Sequence, residues 1–268
     1  MKRIQLFEFE DFSWLPNAIR AGITRLIVVF LRMMKTPQLL AELISELRQK
    51  QPFDQIVDLG SGAGGAMPEV VNTINAATPE RPLKLLMTDL HPNPKVVAHF
   101  NSVSTDGSIR YADQSTDATD FRKVPGGLKT MMNSFHHLPP EAAQSVLRTA
   151  QNERQPLLIY ELAENKIPLL LWWLLLPLSL SILVIMVWFM TPFVRPLGWK
   201  QLFFTYLIPI IPLVYAWDGQ ASLVRIYTKS DLQQMIGEVP EDYSWTIEPA
   251  LNAKGKKSGY YILGLPKA

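Results

Sequence analysis

The sequence predicts an α/β protein: a doubly wound, mostly parallel sheet that ends in a C-terminal antiparallel β-hairpin and is interrupted by an inserted hydrophobic helical hairpin. Three observations carry this reading. Apolar runs of strand length alternate with helical stretches from residue 54 to residue 162, a rhythm that builds parallel sheets. A glycine run, IVDLGSGAGG, joins the first strand of that series to its first helix. Finally, the 28 residues Ile167–Val194 carry no charge.

Residues 1–50 are expected to form N-terminal amphipathic helices. At about 100° per residue, the helix beginning at Asn17 sets Arg20, Arg25, Arg32 and Lys35 on one side and Ile23, Leu26, Phe30 and Met33 on the other. With Phe12 and Trp14 upstream, such a helix can lie in a lipid interface or pack on a core with its basic face in water. Thr36-Pro37 opens a second helix to about Lys50, with Thr as N-cap and Pro at the first helical position. Strands follow in QIVDLG, LKLLMTDL, IRYAD, KTMMNSF and PLLIYEL, with helices from Met67 to about Ala77, at VVAHF and at PEAAQSVLRTA. After the insert come a helix, SDLQQMIG, and two β-rich runs, YSWTIEPAL and GYYILGLPKA. The turn-forming NAKGKKSG between those runs makes them an edge hairpin. The expected core is therefore 51–162 with 223–268, and the insert 163–222.

Composition excludes several classes. With a formal net charge of +2 and dispersed Lys and Arg, a nucleic-acid partner is not expected. No cysteine is present, which removes disulfides, thiolate zinc sites and a Cys nucleophile. A metal site is not expected, because His91 and His99 lack a nearby ligand set. The opening MKRIQLFEFEDFSW has acidic residues where a signal peptide needs an apolar stretch, so export is not expected.

The glycine run lies where a strand ends and a helix begins, so its backbone can approach a ligand and present N–H groups to it. Gly60, Gly62 and Gly65 fit G-x-G-x-x-G, a pattern shared by dinucleotide sites. Asp58 and Gly64 extend it to D-x-G-x-G-x-G. In this form the sequence resembles the Rossmann-like (class I) S-adenosylmethionine-dependent methyltransferases. The resemblance covers roughly residues 54–162 and 228–266. It implies S-adenosyl-L-methionine as cofactor, held by Asp58, Gly60, Ser61, Gly62 and Gly64. It also implies Asp89 and Leu90 at the end of the second strand, Asp117 and Ala118 near the adenine, and Asn133 at the start of NSFHHLPPE. Asp113 is a second choice for Asp117. The departures from the family pattern are the apolar insert after the fifth strand and the long interval from Gly60 to Asp89.

The run Ile167–Val194 would be about 42 Å long as a helix, against a hydrocarbon core of about 30 Å. Trp172, Trp173 and Trp188 lie near its ends, as an aromatic belt would. A second run, QLFFTYLIPIIPLVYAW, is 17 residues long and broken by Pro209 and Pro212. Between the two, Arg195 and Lys200 weigh against crossing if the catalytic domain is cytoplasmic. The expectation is a membrane-inserted hairpin that either spans twice or dips in. A buried helical subdomain or dimer interface is the soluble alternative. Asp218-Gly219 reads as the turn that leaves the membrane.

Loops at the carboxyl ends of parallel strands line the ligand crevice, and the insert begins just after YELAEN. The sequence therefore points to a membrane-associated methyltransferase, its catalytic domain facing the cytoplasm, with membrane lipid and a hydrophobic small-molecule acceptor as partners. O-methylation by in-line transfer is the expected chemistry, with His136, His137 or Glu161 as base and His136 preferred; Glu164 also competes. A nicotinamide-dependent membrane oxidoreductase and a non-catalytic cofactor-binding subunit are the alternatives, and the oligomeric state is left open.

Overall fold

A computed structural model describes residues 3–104, 106–121 and 124–267. Its chain divides into two compact units: a sheet unit of residues 35–163 and 229–267, and a helical unit of residues 3–34 and 164–228. These limits differ from the expected 50, 162 and 222: the first helix belongs with the insert and the second with the sheet, while residues 223–228 stay with the insert.

The sheet unit contains β1 (Gln55–Leu59), β2 (Lys84–Thr88), β3 (Ile109–Tyr111), β4 (Leu128–Met132), β5 (Leu157–Glu161), β6 (Tyr243–Leu251) and β7 (Lys257–Pro266). They form one sheet in the order β3-β2-β1-β4-β5-β7-β6. The first five are parallel, β7 pairs antiparallel with β5, and β6 is an antiparallel edge strand. β5 is buried throughout and β4 along all but its last residue, as parallel strands covered on both faces must be. Helices α2 (Thr36–Lys50), α3 (Met67–Ala77), α4 (Pro94–Val103), α5 (Pro140–Asn152) and α9 (Lys229–Ile236) complete the unit. One sequence detail changes. Thr36 lies inside α2 with Lys35 before it in the left-handed region, and no side chain caps the helix. Ala268, at the end of the last predicted run, lies outside the described residues.

In the helical unit, α1 (Asn17–Met33) packs with α6 (Leu169–Met190), the short α7 (Trp199–Leu202) and α8 (Ile210–Arg225). The α1 face of Ile19, Ile23, Leu26 and Val29 joins Val187, Met190 and Ile211 in one apolar cluster, so these residues face protein. Met33, expected on that face, is exposed. Residues Phe203–Leu207 form a single π-helical turn, and the chain bends by 78° before α8, where Pro209 interrupts the backbone ladder. Asp218 and Gly219 lie within α8 rather than in a turn. The Asp218 carboxylate accepts the N–H groups of Phe9 and Glu10 at 2.7 and 3.2 Å. About two turns further, buried Arg225 pairs through Nη1 with Asp11 at 2.7 Å and Glu8 at 3.1 Å, so Asp218, expected at a membrane exit, instead joins Arg225 in fastening the N-terminal segment.

Leu158, fully buried in β5, tests the sheet unit. Leu158→Ala should lower stability by about 2–5 kcal/mol, read as a fall in the urea midpoint with the slope unchanged.

Candidate functional site

Strand order reverses between β1 and β4, and ligands bind open α/β sheets in the crevice outside the carboxyl ends at such a switch point. The glycine loop, the tail of β2 and the loop after β4 all lie at this edge.

The loop takes its shape from the buried carboxyl of Asp58. Its Oδ2 accepts the Ser61 hydroxyl at 2.6 Å, and its Oδ1 accepts the Thr130 hydroxyl at 2.6 Å. Thr130 is the register partner of Asp58 across β1 and β4, which explains why a hydroxyl from the neighbouring strand meets it. Thr88 on β2 donates its hydroxyl to the Asp58 carbonyl at 2.9 Å, while Ser61 N–H bonds the Thr88 carbonyl at 2.9 Å. Three strand ends are thus tied into the first turn of the loop. Burial pushes the Asp58 carboxyl up to about 6, opposed by the Ser61 and Thr130 hydroxyls and reinforced by the nearby Asp89 charge.

The loop needs its glycines. Gly62 has φ +52° and Gly64 φ +98°, values that favour glycine. A Cβ on Gly64 would lie 2.5 Å from the Phe100 ring, whereas one on Gly62 would meet nothing within 4 Å. Gly64 is therefore closed against α4, and Gly62 faces open space. Tyr111 at the end of β3 donates its hydroxyl to the Gly62 carbonyl at 2.7 Å. Burial and the carboxylates of Asp89 and Asp58 raise the Tyr111 phenol, which keeps it a donor.

Asp89, just past β2, accepts the Gly62 N–H at 2.9 Å through Oδ2 and the His91 N–H at 2.8 Å through Oδ1. A carboxylate has about four lone-pair sites, so hydroxyl donors from a ligand still find acceptors there. Leu90 beside it is exposed, an apolar side chain at the rim. The segment after β3 is held along this edge by Thr116 N–H to the Asp89 carbonyl and by the Ser115 hydroxyl to the Leu90 carbonyl. Within it, Asp117 turns its Oδ1 to the N–H and hydroxyl of Thr119, both at 2.8 Å. That is the geometry of a turn residue. Ala118 follows, half-buried, while Asp113 is exposed.

At the end of β4, Asn133 adopts φ +54°, a left-handed conformation that Asn tolerates. Its N–H bonds the Tyr160 carbonyl and its Oδ1 accepts the Leu162 N–H, both at 2.8 Å. Asn133 clamps β4 to β5. The next residue, Ser134, brings its Oγ to within 3.6 Å of where a Cβ on Gly60 would lie. Then comes a buried pair, His136 and Glu161. Glu161 Oε1 accepts the His136 N–H at 3.0 Å, and Oε2 lies 2.8 Å from Nδ1. Donation from Nδ1 leaves the lone pair of the neutral ring on Nε2. His137 packs its ring 4.3 Å from that of His136 and is less buried.

The predicted residues thus occupy one edge in different roles. Gly60, Gly62, Asp89 and Leu90 are open to a ligand. Asp58, Ser61, Asn133 and Gly64 shape the crevice from beneath, and Asp117 is engaged in its own turn. The sequence reading missed Thr88, Tyr111 and Thr130, whose hydroxyls acquire meaning only through strand register. At the other edge of the sheet, a depression of about 480 Å³ lies over Phe53, Asp54, Lys84 and Gly127. Arg48 and Arg81 both pair with its Asp54 carboxylate.

Similar architecture occurs in a structure of the plantazolicin methyltransferase BpumL in complex with SAH: 13% identity, TM-score 0.53, covering 93% of this chain and 98% of that one. The fold is the Rossmann-like methyltransferase fold. An antiparallel β7 between β5 and β6 distinguishes it from the six-stranded dinucleotide-binding order. The methyltransferase domain of bacterial CtHen1-C also matches, with 10% identity, 88% and 100% coverage and a TM-score of 0.48. So does the O-methyltransferase NcsB1 from neocarzinostatin biosynthesis, with 10% identity and a TM-score of 0.44; 85% of this chain is covered and 56% of that one. No family model and no curated protein matches by sequence.

Asp58 gives this methyltransferase fold a pH signature. Its folded value of about 6 lies above the ordinary carboxyl value of 3.8, so its contribution to stability is fully present below pH 4 and is lost as pH rises through about 6. The difference is on the order of 3 kcal/mol. Asp58→Asn should flatten the stability profile between those limits, measured by urea unfolding at pH 4 and pH 7.

Proposed function

We propose that the chain is a membrane-associated S-adenosylmethionine-dependent methyltransferase that methylates oxygen on a lipophilic small molecule, with its sheet unit on the cytoplasmic side. The observation that carries this reading is the edge itself: an open glycine loop and an available carboxylate at the switch point, with a buried His136–Glu161 pair at the neighbouring strand ends. The SAH bound in the BpumL structure supports the choice of donor.

The residues fit such a donor. Gly62 has free space where a side chain would stand, so the backbone can lie against the amino acid end of the ligand. Asp89 retains acceptors for ribose hydroxyls, and Leu90 offers an apolar surface for the adenine. S-adenosylmethionine would supply an electrophilic methyl group on its sulfonium. The chain's own part is to orient the acceptor, since in-line displacement depends heavily on positioning, and to accept the hydroxyl proton. In this reading His136 Nε2 takes that proton while the Glu161 carboxylate holds the ring and stabilises the imidazolium.

Lipophilicity of the acceptor is inferred from the helical unit. Among the described residues one helix with its following turn, Leu169–Phe193, is long and apolar enough to cross a membrane, and most of it is not covered by protein. It starts eight residues after Glu161, so the chain that ends in the reacting pair leads directly into the apolar helix.

The test is transfer of a labelled methyl group into a lipid extract from cells that lack the protein's gene. The wild-type chain should give a labelled, extractable product. His136→Ala should lower kcat by about 10²–10⁴-fold with donor affinity little changed, and Glu161→Gln should lose less. Full turnover in both variants would remove the base and leave positioning alone; no label in any lipid fraction would reject the lipophilic acceptor.

A further inference from the structure

The loop that joins the two apolar arms of the helical unit carries charge of one sign only. From residue 165 to residue 217 the chain contains no Asp or Glu, and its cations are Lys166, Arg195 and Lys200. Lys166 pairs with Glu164 at 2.8 Å. Arg195, between α6 and α7, and Lys200, within α7, are exposed and pair with no carboxylate among the described residues. Carboxylates elsewhere in the unit are engaged inward: Glu8 and Asp11 with Arg225, and Asp218 with the N–H groups of Phe9 and Glu10. The loop is also firmly built. Val194 is fully buried in the apolar cluster that includes α1, its N–H bonds the Thr191 carbonyl at 3.1 Å, and the Thr191 hydroxyl donates to the Val187 carbonyl at 2.8 Å. Arg195 Nη1 donates to the carbonyls of Pro192 and Val194, both at 2.9 Å. That fixes the side chain while the rest of its guanidinium fork meets no acceptor among the described residues. Lys200 Nζ lies 5.7 Å from the centre of the Trp199 ring. Beside these cations Phe193 and Trp199 are 65% and 69% exposed. Where the arms meet, Tyr206 donates its hydroxyl to the Trp188 carbonyl at 2.7 Å, and the same part of the arms exposes Phe189 and Leu207.

Resting on the membrane reading above, we infer that this loop is a docking surface for anionic phospholipid headgroups. An anionic leaflet attracts each Lys or Arg held near its surface, indole rings settle at headgroup level, and aliphatic and phenyl side chains enter the acyl region. The loop and the adjoining arms offer these three chemistries together. The guanidinium fork of Arg195 suits a phosphate, which it can meet with parallel N–H bonds, while Lys200 acts as a second, point-like charge. An acidic protein surface would match the two cations but not the apolar arms behind them, which a bilayer covers with its acyl chains. The attraction requires no particular tilt of α6 and no particular side of the membrane, because headgroups line both.

The chain has no cysteine, so Phe193→Cys, at an exposed position, accepts a single environment-sensitive fluorophore. The labelled full-length chain is reconstituted into vesicles of phosphatidylcholine and phosphatidylglycerol in equal parts, with a quenching spin label on the acyl chain of one lipid or of the other. Spin-labelled phosphatidylglycerol should be favoured at the loop at least about fivefold, the equivalent of about 1 kcal/mol, and the preference should fade at high salt. Lys200→Gln should reduce it, and the double variant Arg195→Gln/Lys200→Gln should remove it. Equal quenching by the two lipids, a preference that survives in the double variant, or no quenching of a chain that stays with the vesicles would each overturn the inference and leave membrane association intact. Recovery of the labelled chain free of vesicles would overturn the membrane reading and the inference together.

Discussion

A carboxyl group buried beneath the glycine loop organises the rest. Asp58 lies in the interior with its two oxygens met by the hydroxyls of Ser61 and Thr130, and a buried acid without such partners would cost several kcal/mol. Those bonds hold the first turn of the loop against β1 and β4, while Thr88 brings in β2. Only with the turn fixed there does the Gly62 N–H meet Asp89 and its carbonyl meet Tyr111. The open surface of the site is therefore a product of polar contacts that no ligand touches. This arrangement also explains why the loop carries both a closed glycine and an open one: Gly64 lets Phe100 approach, and Gly62 leaves room above the edge.

Much of this was legible in the sequence because it follows from local chemistry. The strands β1, β2, β4 and β5 are apolar runs between helix signals, and α3 begins and ends where its pattern does. Strand-end positions such as Asp89, Asn133 and Glu161 could be marked because their strands could be marked. What a ladder places side by side was not legible. Thr130 meets Asp58 through the β1–β4 register, and Tyr111 reaches Gly62 across 49 residues of chain. The pairing of His136 with Glu161 was likewise hidden, since each was read as a separate candidate base and the distance between β4 and β5 is not written in either segment.

The helical unit shows the opposite balance. Hydropathy located α6 well, but it could not reveal that Asp218 and Arg225 continue α8 and fasten residues 8–11. In isolation Asp218 and Gly219 after an apolar run look like an exit from lipid. Burial of those charges in a local ion-pair network makes them part of the unit's framework. The same holds for α1, whose apolar face suited either lipid or protein. The complementary surface of Val187, Met190 and Ile211 decides for protein, and α6 keeps exposed apolar side chains such as Leu170, Leu174 and Phe189.

The central claim is that the edge formed by the glycine loop and Asp89 binds an adenosyl donor. Calorimetric titration of the purified full-length chain with S-adenosylmethionine, alongside NADH, tests it most directly. One donor site per chain is expected, with a loss of at least tenfold in affinity on Asp89→Ala, consistent with about 1.4 kcal/mol or more, and no heat with NADH. Saturable NADH binding without any response to S-adenosylmethionine would contradict it.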